Sequence, residues 1–106
     1  MRRRERAGSD TYEAVFGALA HRARRHVLLA VYFAGGSLTA GAIAGMFSHA
    51  WPTTTRHLRV LHEAGLLRIE RRGRLRVYSI ERRRLELVRE WLATFSRDAH
   101  GRRQRG

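Results

Sequence analysis

The chain has no cysteine, no lysine and a single proline among its 106 residues. Without cysteine there is no disulfide, no thiolate metal ligand and no thiol switch. Apolar residues never run far, and the longest stretch, Val27 to Ala34, is much too short to span a bilayer. The N-terminal Arg2-Arg3-Arg4 leads into Glu5, Arg6 and Gly8, not into the apolar centre of a secretion signal. The basic ends lack the adjacent Trp, Phe and Leu that would insert into a membrane surface. Together these absences predict a cytoplasmic protein, of a bacterium, with no membrane partner. Acidic residues are scarce as well: 9 stand against 22 basic ones, for a formal net charge of +13. A surplus of that size favours nucleic acid as partner.

Every one of the basic residues is arginine. A guanidinium fork matches phosphate and the guanine edge better than an ammonium does. A GC-rich genome would also favour arginine codons, so the charge surplus is the stronger signal and the missing lysine the weaker. Catalysis finds no support: there is no carboxylate pair at useful spacing and no glycine loop to cradle phosphate. No cofactor is expected.

At this length one small domain is expected. Residues 1–9 are basic and read as a disordered arm, residues 10–98 as the folded unit, and residues 99–106 as a loose basic tail. Asp10 is placed to cap a first helix, Thr11 to about Ala20, with Tyr12, Val15, Phe16 and Leu19 at helical spacing. A second helix, about Arg22 to Ala34, is apolar on most sides and reads as central and buried. Gly35-Gly36 ends it, and Ser37-Leu38 suits a short strand. A third helix, about Thr39 to Phe47, turns Ala42, Ile43 and Met46 inward.

The most informative stretch runs from Trp51 to Gly65, followed at once by Leu67 to Ile80. Pro52 is expected at the first position of a fourth helix. Thr54, Leu58 and Leu61 make its inward stripe, while Arg56 points outward with Thr53, Thr55 and Arg59 on its flanks. Gly65 is expected to end it in a left-handed cap. Strands Leu67–Glu70 and Leu75–Ile80 alternate around a turn of Arg71 to Arg74, with Leu75 and Val77 opposite Arg76 and Tyr78. A last helix, about Arg83 to Arg97, gathers Leu85, Val88, Trp91, Leu92 and Phe95 on one face. A polar helix beside an arginine-tipped hairpin suits a DNA groove and its flanking phosphates.

Three blocks in this order resemble the ArsR family of bacterial transcriptional repressors. Ala18-Leu-Ala-His-Arg-Ala-Arg-Arg-His-Val-Leu28 resembles the opening of that family's second helix, where Asp often stands at the place of His21. Thr55-Arg-His-Leu-Arg-Val-Leu-His-Glu-Ala-Gly-Leu-Leu67 resembles its recognition helix, and Arg72-Gly-Arg74 with Val77-Tyr78 its wing. The resemblance covers roughly residues 12–97. It implies a winged helix-turn-helix, mostly α with a β-hairpin wing, in the order α-α-β-α-α-β-β-α. It implies a homodimer joined through the first and last helices, with the fourth helix in the major groove. The expected DNA contacts are Thr53, Thr54, Thr55, Arg56, His57 and Arg59 on the helix, and Arg71, Arg72, Arg74 and Arg76 on the wing. His57 suits phosphate contact and local packing equally. Arg24 and Arg25 suit phosphate contact or plain surface.

The expected dimer interface is Tyr12, Val15, Phe16, Leu19, Val88, Trp91, Leu92 and Phe95, more apolar surface than a core of this size readily covers. Metal sensing is not expected. The Cys-x-Cys element of some family members is replaced by Ala42-Ile-Ala-Gly-Met46. Asp98-Ala-His100 supplies only half of the zinc ligands others carry, and zinc wants about four. The expected function is a homodimeric, sequence-specific repressor on a palindromic double-stranded DNA operator. The alternative is a non-specific architectural DNA- or RNA-binding protein, which would rely on charge alone.

Overall fold

A computed structural model describes the backbone of residues 2–48 and 50–105, and the side chains of residues 10–48 and 50–96. The elements are α1 (Arg2–Leu19), α2 (Arg22–Phe33), β1 (Ser37–Thr39), α3 (Ala40–Gly45), α4 (Trp51–Glu63), β2 (Leu67–Arg72), β3 (Leu75–Ile80) and α5 (Leu85–Arg105). This is the expected order, α-α-β-α-α-β-β-α. The outer helices are longer than expected: α1 starts well before Asp10, and α5 continues past residue 98, so neither boundary is marked by a break in helix.

The helix ends follow from local chemistry. After α2, the Gly36 amide donates to Val31 O at 2.9 Å and the Gly35 amide to Tyr32 O at 3.1 Å. After α4, the Leu66 amide reaches Leu61 O at 2.9 Å while Gly65 sits at φ +78°. That is a left-handed cap with an apolar residue tucked behind it, since Leu66 is fully buried. Thr39 caps α3 by accepting a hydrogen bond from the Ala42 amide at 3.1 Å. Pro52 lies in the first turn of α4, one place later than expected, because Trp51 already belongs to the helix.

The sheet has the order β1-β3-β2, all antiparallel. Arg72 pairs with Leu75, so the wing turns on Gly73 and Arg74 alone, tighter than the four residues expected. Gly73 takes φ +63°, as a two-residue hairpin with glycine at its first central position requires. Tyr78 was expected on the polar face with Arg76. It is instead 4% exposed and belongs to the core. β3 is paired on both edges, and its register sets Leu38 and Ile69 beside Tyr78, which draws that ring inward.

Val15 and Ala18 of α1, Val27, Leu28 and Val31 of α2, Ile43 of α3, and Leu58 and Leu61 of α4 close over Leu66, Leu67 and Tyr78. Two expectations of burial need correction. The second helix buries one face only, and Leu29, Tyr32 and Phe33 are 53%, 53% and 77% exposed. In α3 Ile43 alone is buried; Ala42 and Met46 face outward, because a helix of 6 residues offers a single inward position.

Candidate nucleic-acid interface

Helix α4 and the β2–β3 wing carry the expected contact residues. On α4, Thr53, Arg56 and Arg59 are exposed. Thr54 is not: it is 2% exposed and packs inward, as its place in the stripe with Leu58 and Leu61 demands. It drops out of the contact set. Thr55 is partly exposed, yet its hydroxyl oxygen is shielded and has no hydrogen-bond partner, so what it shows to solvent is not the hydroxyl.

His57 is 6% exposed, which decides between its two readings in favour of packing. Its ring lies 4.7 Å from that of His21, and its Nδ1 is 3.4 Å from Nη1 of Arg24. As a hydrogen bond, that contact requires Nδ1 to be the acceptor. Arg24 also donates from Nε to Ala18 O at 2.8 Å and from Nη2 to Gly17 O at 3.1 Å. Arg25 donates from Nη1 to Leu19 O at 2.8 Å. The last carbonyls of α1 have no partner within their own helix. These two guanidinium groups collect three of them, and positive charge is favourable at that end of a helix. Arg24 and Arg25 therefore cap α1, so neither is idle surface. A cation a few residues beyond a helix end, after a turn too short to escape it, was the available signal.

The wing presents Arg71, Arg72, Arg74 and Arg76, all exposed. Arg72 lies 3.7 Å from Glu70, a solvent-exposed pair of small energetic weight. Among the described residues Arg56, Arg59, Arg71, Arg74 and Arg76 have no ion pair. Arg71 stands directly opposite Arg76 across the hairpin. Like charges in that register oppose strand pairing. A cleft of about 350 Å³ separates wing from helix; Trp51 and Thr55 line one wall, and Arg74, Leu75 and Arg76 the other. Thr39, Ala40 and Gly41, where β1 passes into α3, also line it. A second cleft on α4 is formed by Trp51, Pro52, Thr55, Arg56 and Arg59.

An ArsR family transcriptional regulator of known structure superimposes on this fold with a TM-score of 0.77 at 29% identity, covering 87% of this chain and 93% of that one. The transcriptional repressor SdpR of Bacillus subtilis is 32% identical over 81 residues, 76% of this chain and 88% of that protein. The chain belongs to the ArsR family of transcriptional regulators. Another similar structure is the homodimeric winged helix-turn-helix DNA-binding domain of a possible ArsR-family regulator from Mycobacterium bovis. It has a TM-score of 0.69 at 28% identity and covers 92% of this chain and 87% of its own. No protein-family model matches the chain.

In this ArsR-family chain the residues expected at a dimer interface fall into three groups. Val15 is fully buried in the core and has no surface to offer a partner, a correction to its expected place. Leu19 and Val88 pack against the core and are partly buried. Tyr12, Phe16, Trp91, Leu92 and Phe95 form an aromatic-rich ridge along α1 and α5. Phe16 meets Trp91 edge-on at 5.2 Å, and Trp91 meets Phe95 at 4.9 Å. Trp91, Leu92 and Phe95 remain 46%, 55% and 57% exposed. Among the described residues no three side chains are grouped to hold a metal; those of His49, Asp98 and His100 lie outside the described set. Among the same residues, no helix is long and apolar enough to cross a membrane.

Proposed function

We propose that this ArsR-family chain is a homodimeric repressor that blocks transcription by occupying a palindromic operator in double-stranded DNA in the cytoplasm, without catalytic activity. Residues 10–98 serve as its DNA-binding and dimerisation unit. Arg56 and Arg59 read or grip the major groove, with Thr53 and Thr55 beside them. Arg71, Arg72, Arg74 and Arg76 hold the flanking phosphates or the minor groove. The observation that carries this reading is the juxtaposition of two unpaired arginines on the outer face of α4 with the arginine-tipped wing. An Arg71–Arg76 register with neither arginine in an ion pair favours an external anion. The ridge of Trp91, Leu92 and Phe95 supports self-association through α1 and α5, since large apolar patches on a small domain seek a partner. Two copies would then present two α4 helices about one DNA turn apart, roughly 34–36 Å.

Fluorescence anisotropy of the purified protein on its own upstream DNA and on scrambled DNA, across a salt series, tests this. Upstream DNA bound tighter by roughly a thousandfold is the result expected of a specific repressor. Equal binding that collapses on both as salt rises would move the protein to the architectural class, held by charge alone.

A further inference from the structure

We propose that Trp51 is a specificity residue of this regulator, packing its indole against the 5-methyl group of a thymine in the major groove. The inference rests on the DNA-binding reading above and adds to it a contact that the arginines do not make.

Trp51 opens α4 and is 55% exposed, a large apolar surface among charged neighbours. It forms a wall of both clefts at this end of the helix: one shared with Arg56 and Arg59, the other with Arg74, Leu75 and Arg76. Positions 51, 55 and 59 follow one another at four-residue spacing, so Trp51, Thr55 and Arg59 lie along one stripe. Next to Trp51 in that stripe the Thr55 hydroxyl oxygen is shielded from solvent, which leaves carbon and not a hydroxyl on view. Across the cleft Leu75 is 56% exposed. An apolar facet thus lies in clefts that Arg56, Arg59, Arg74 and Arg76 also line.

Among duplex features, only some match such a facet. Phosphates and the guanine edge suit the arginines and offer nothing to an indole. Base faces are stacked away inside the helix. In the major groove the one apolar group on a base edge is the thymine methyl. An aromatic surface and a carbon-faced threonine at the start of a groove-reading helix are complementary to it. The arginines around them would set affinity, and Trp51 would set the preference for thymine over cytosine at one place in each half-site.

The test uses the full chain and duplexes selected by it from a random pool. The selected duplex is resynthesised with uracil for thymine, one position at a time, and bound by wild type, Trp51→Ala and Trp51→Phe. The result expected is one thymine per half-site where uracil weakens wild-type binding by roughly fourfold, the worth of one buried methyl. That penalty should vanish in Trp51→Ala and persist in part in Trp51→Phe, and the wild type's change in tryptophan emission on DNA should be lost in Trp51→Phe. The phenylalanine variant keeps the test decisive should the alanine variant fold poorly. A selected sequence on which every uracil duplex binds wild type as well as thymine does overturns this inference and leaves the repressor reading standing. If no sequence is selected at all, both fall.

Discussion

Replacing Arg24 by alanine should unfold the protein at a distinctly lower temperature although no core volume is lost. The side chain is partly buried and makes two hydrogen bonds to carbonyls at the end of α1, at 2.8 Å and 3.1 Å, besides its 3.4 Å contact with His57. Hydrogen bonds from a charged donor contribute about 1.5–3 kcal/mol, and exposure lowers the figure. The bond to Ala18 O is part-buried and that to Gly17 O exposed, so the pair together should contribute about 2 kcal/mol. For a domain near this size, each kcal/mol moves the melting temperature by about 4–8 °C, which gives a fall of about 10 °C. Arg24→Lys should recover only part of it, because a single ammonium lacks the fork that spans both carbonyls. The assay is thermal unfolding followed by circular dichroism, at matched protein concentration because a dimer's midpoint depends on it. DNA affinity should then be measured at a temperature where both proteins are folded. A midpoint within about 2 °C of wild type would refute the claim that these hydrogen bonds hold α1 to α2.

Other consequences can be checked independently. Arg56→Ala should cost about 1–3 kcal/mol of operator binding and relax sequence preference, whereas Arg74→Ala should weaken all duplexes alike and lower the salt slope by about 1. Unchanged preference in the Arg56 variant, read by competition against scrambled DNA, would remove that residue from base readout. Trp91→Ala should shift the protein from dimer towards monomer in sedimentation at micromolar concentration while its far-ultraviolet spectrum persists, because the ring is 46% exposed and meets Phe16 and Phe95 rather than the inner core. Gly65→Ala should lose about 1–2 kcal/mol in denaturant unfolding. The left-handed φ of +78° disfavours a side chain, and an added Cβ would come within 2.9 Å of Cγ of Arg84.

What was legible in the sequence was local. Helical spacing located α2 and α4 to within a residue or two, since the periodic apolar positions lie inside each helix and Gly35 and Gly65 stand just past its end. The wing was legible for the same reason, as Gly73 is the one residue there free to take a positive φ. Facing was harder. Tyr78 alternates with Val77 in a strand paired on both edges, and both are buried, so alternation carries no sign there. The exposure of Leu29, Tyr32 and Phe33 was equally hidden, because an apolar run states what a helix contains and not how much of its circumference the rest of the fold covers.

The site was legible as a charge pattern and less so as geometry. Composition counts arginines but does not divide their labour. Arg24 and Arg25 close the end of α1, while Arg68, Arg72 and Arg89 face Glu81, Glu70 and Glu86. Among the described residues Arg22, Arg82, Arg83 and Arg84 have no ion pair either, but the largest unpaired group, Arg56, Arg59, Arg71, Arg74 and Arg76, is on α4 and the wing. There the fold keeps an arrangement that works against it: Arg71 opposite Arg76 disfavours pairing by about 0.2–1 kcal/mol. The hairpin tolerates this because its other end is anchored, with fully buried Leu67 paired to Ile80 and Ile69 to buried Tyr78. Along that one face the register passes from apolar at the core to basic towards the tip. A strand pair that served stability alone would place a carboxylate opposite one of those arginines. Leaving both unneutralised fits the proposed function, in which a phosphate backbone would complete the pairing.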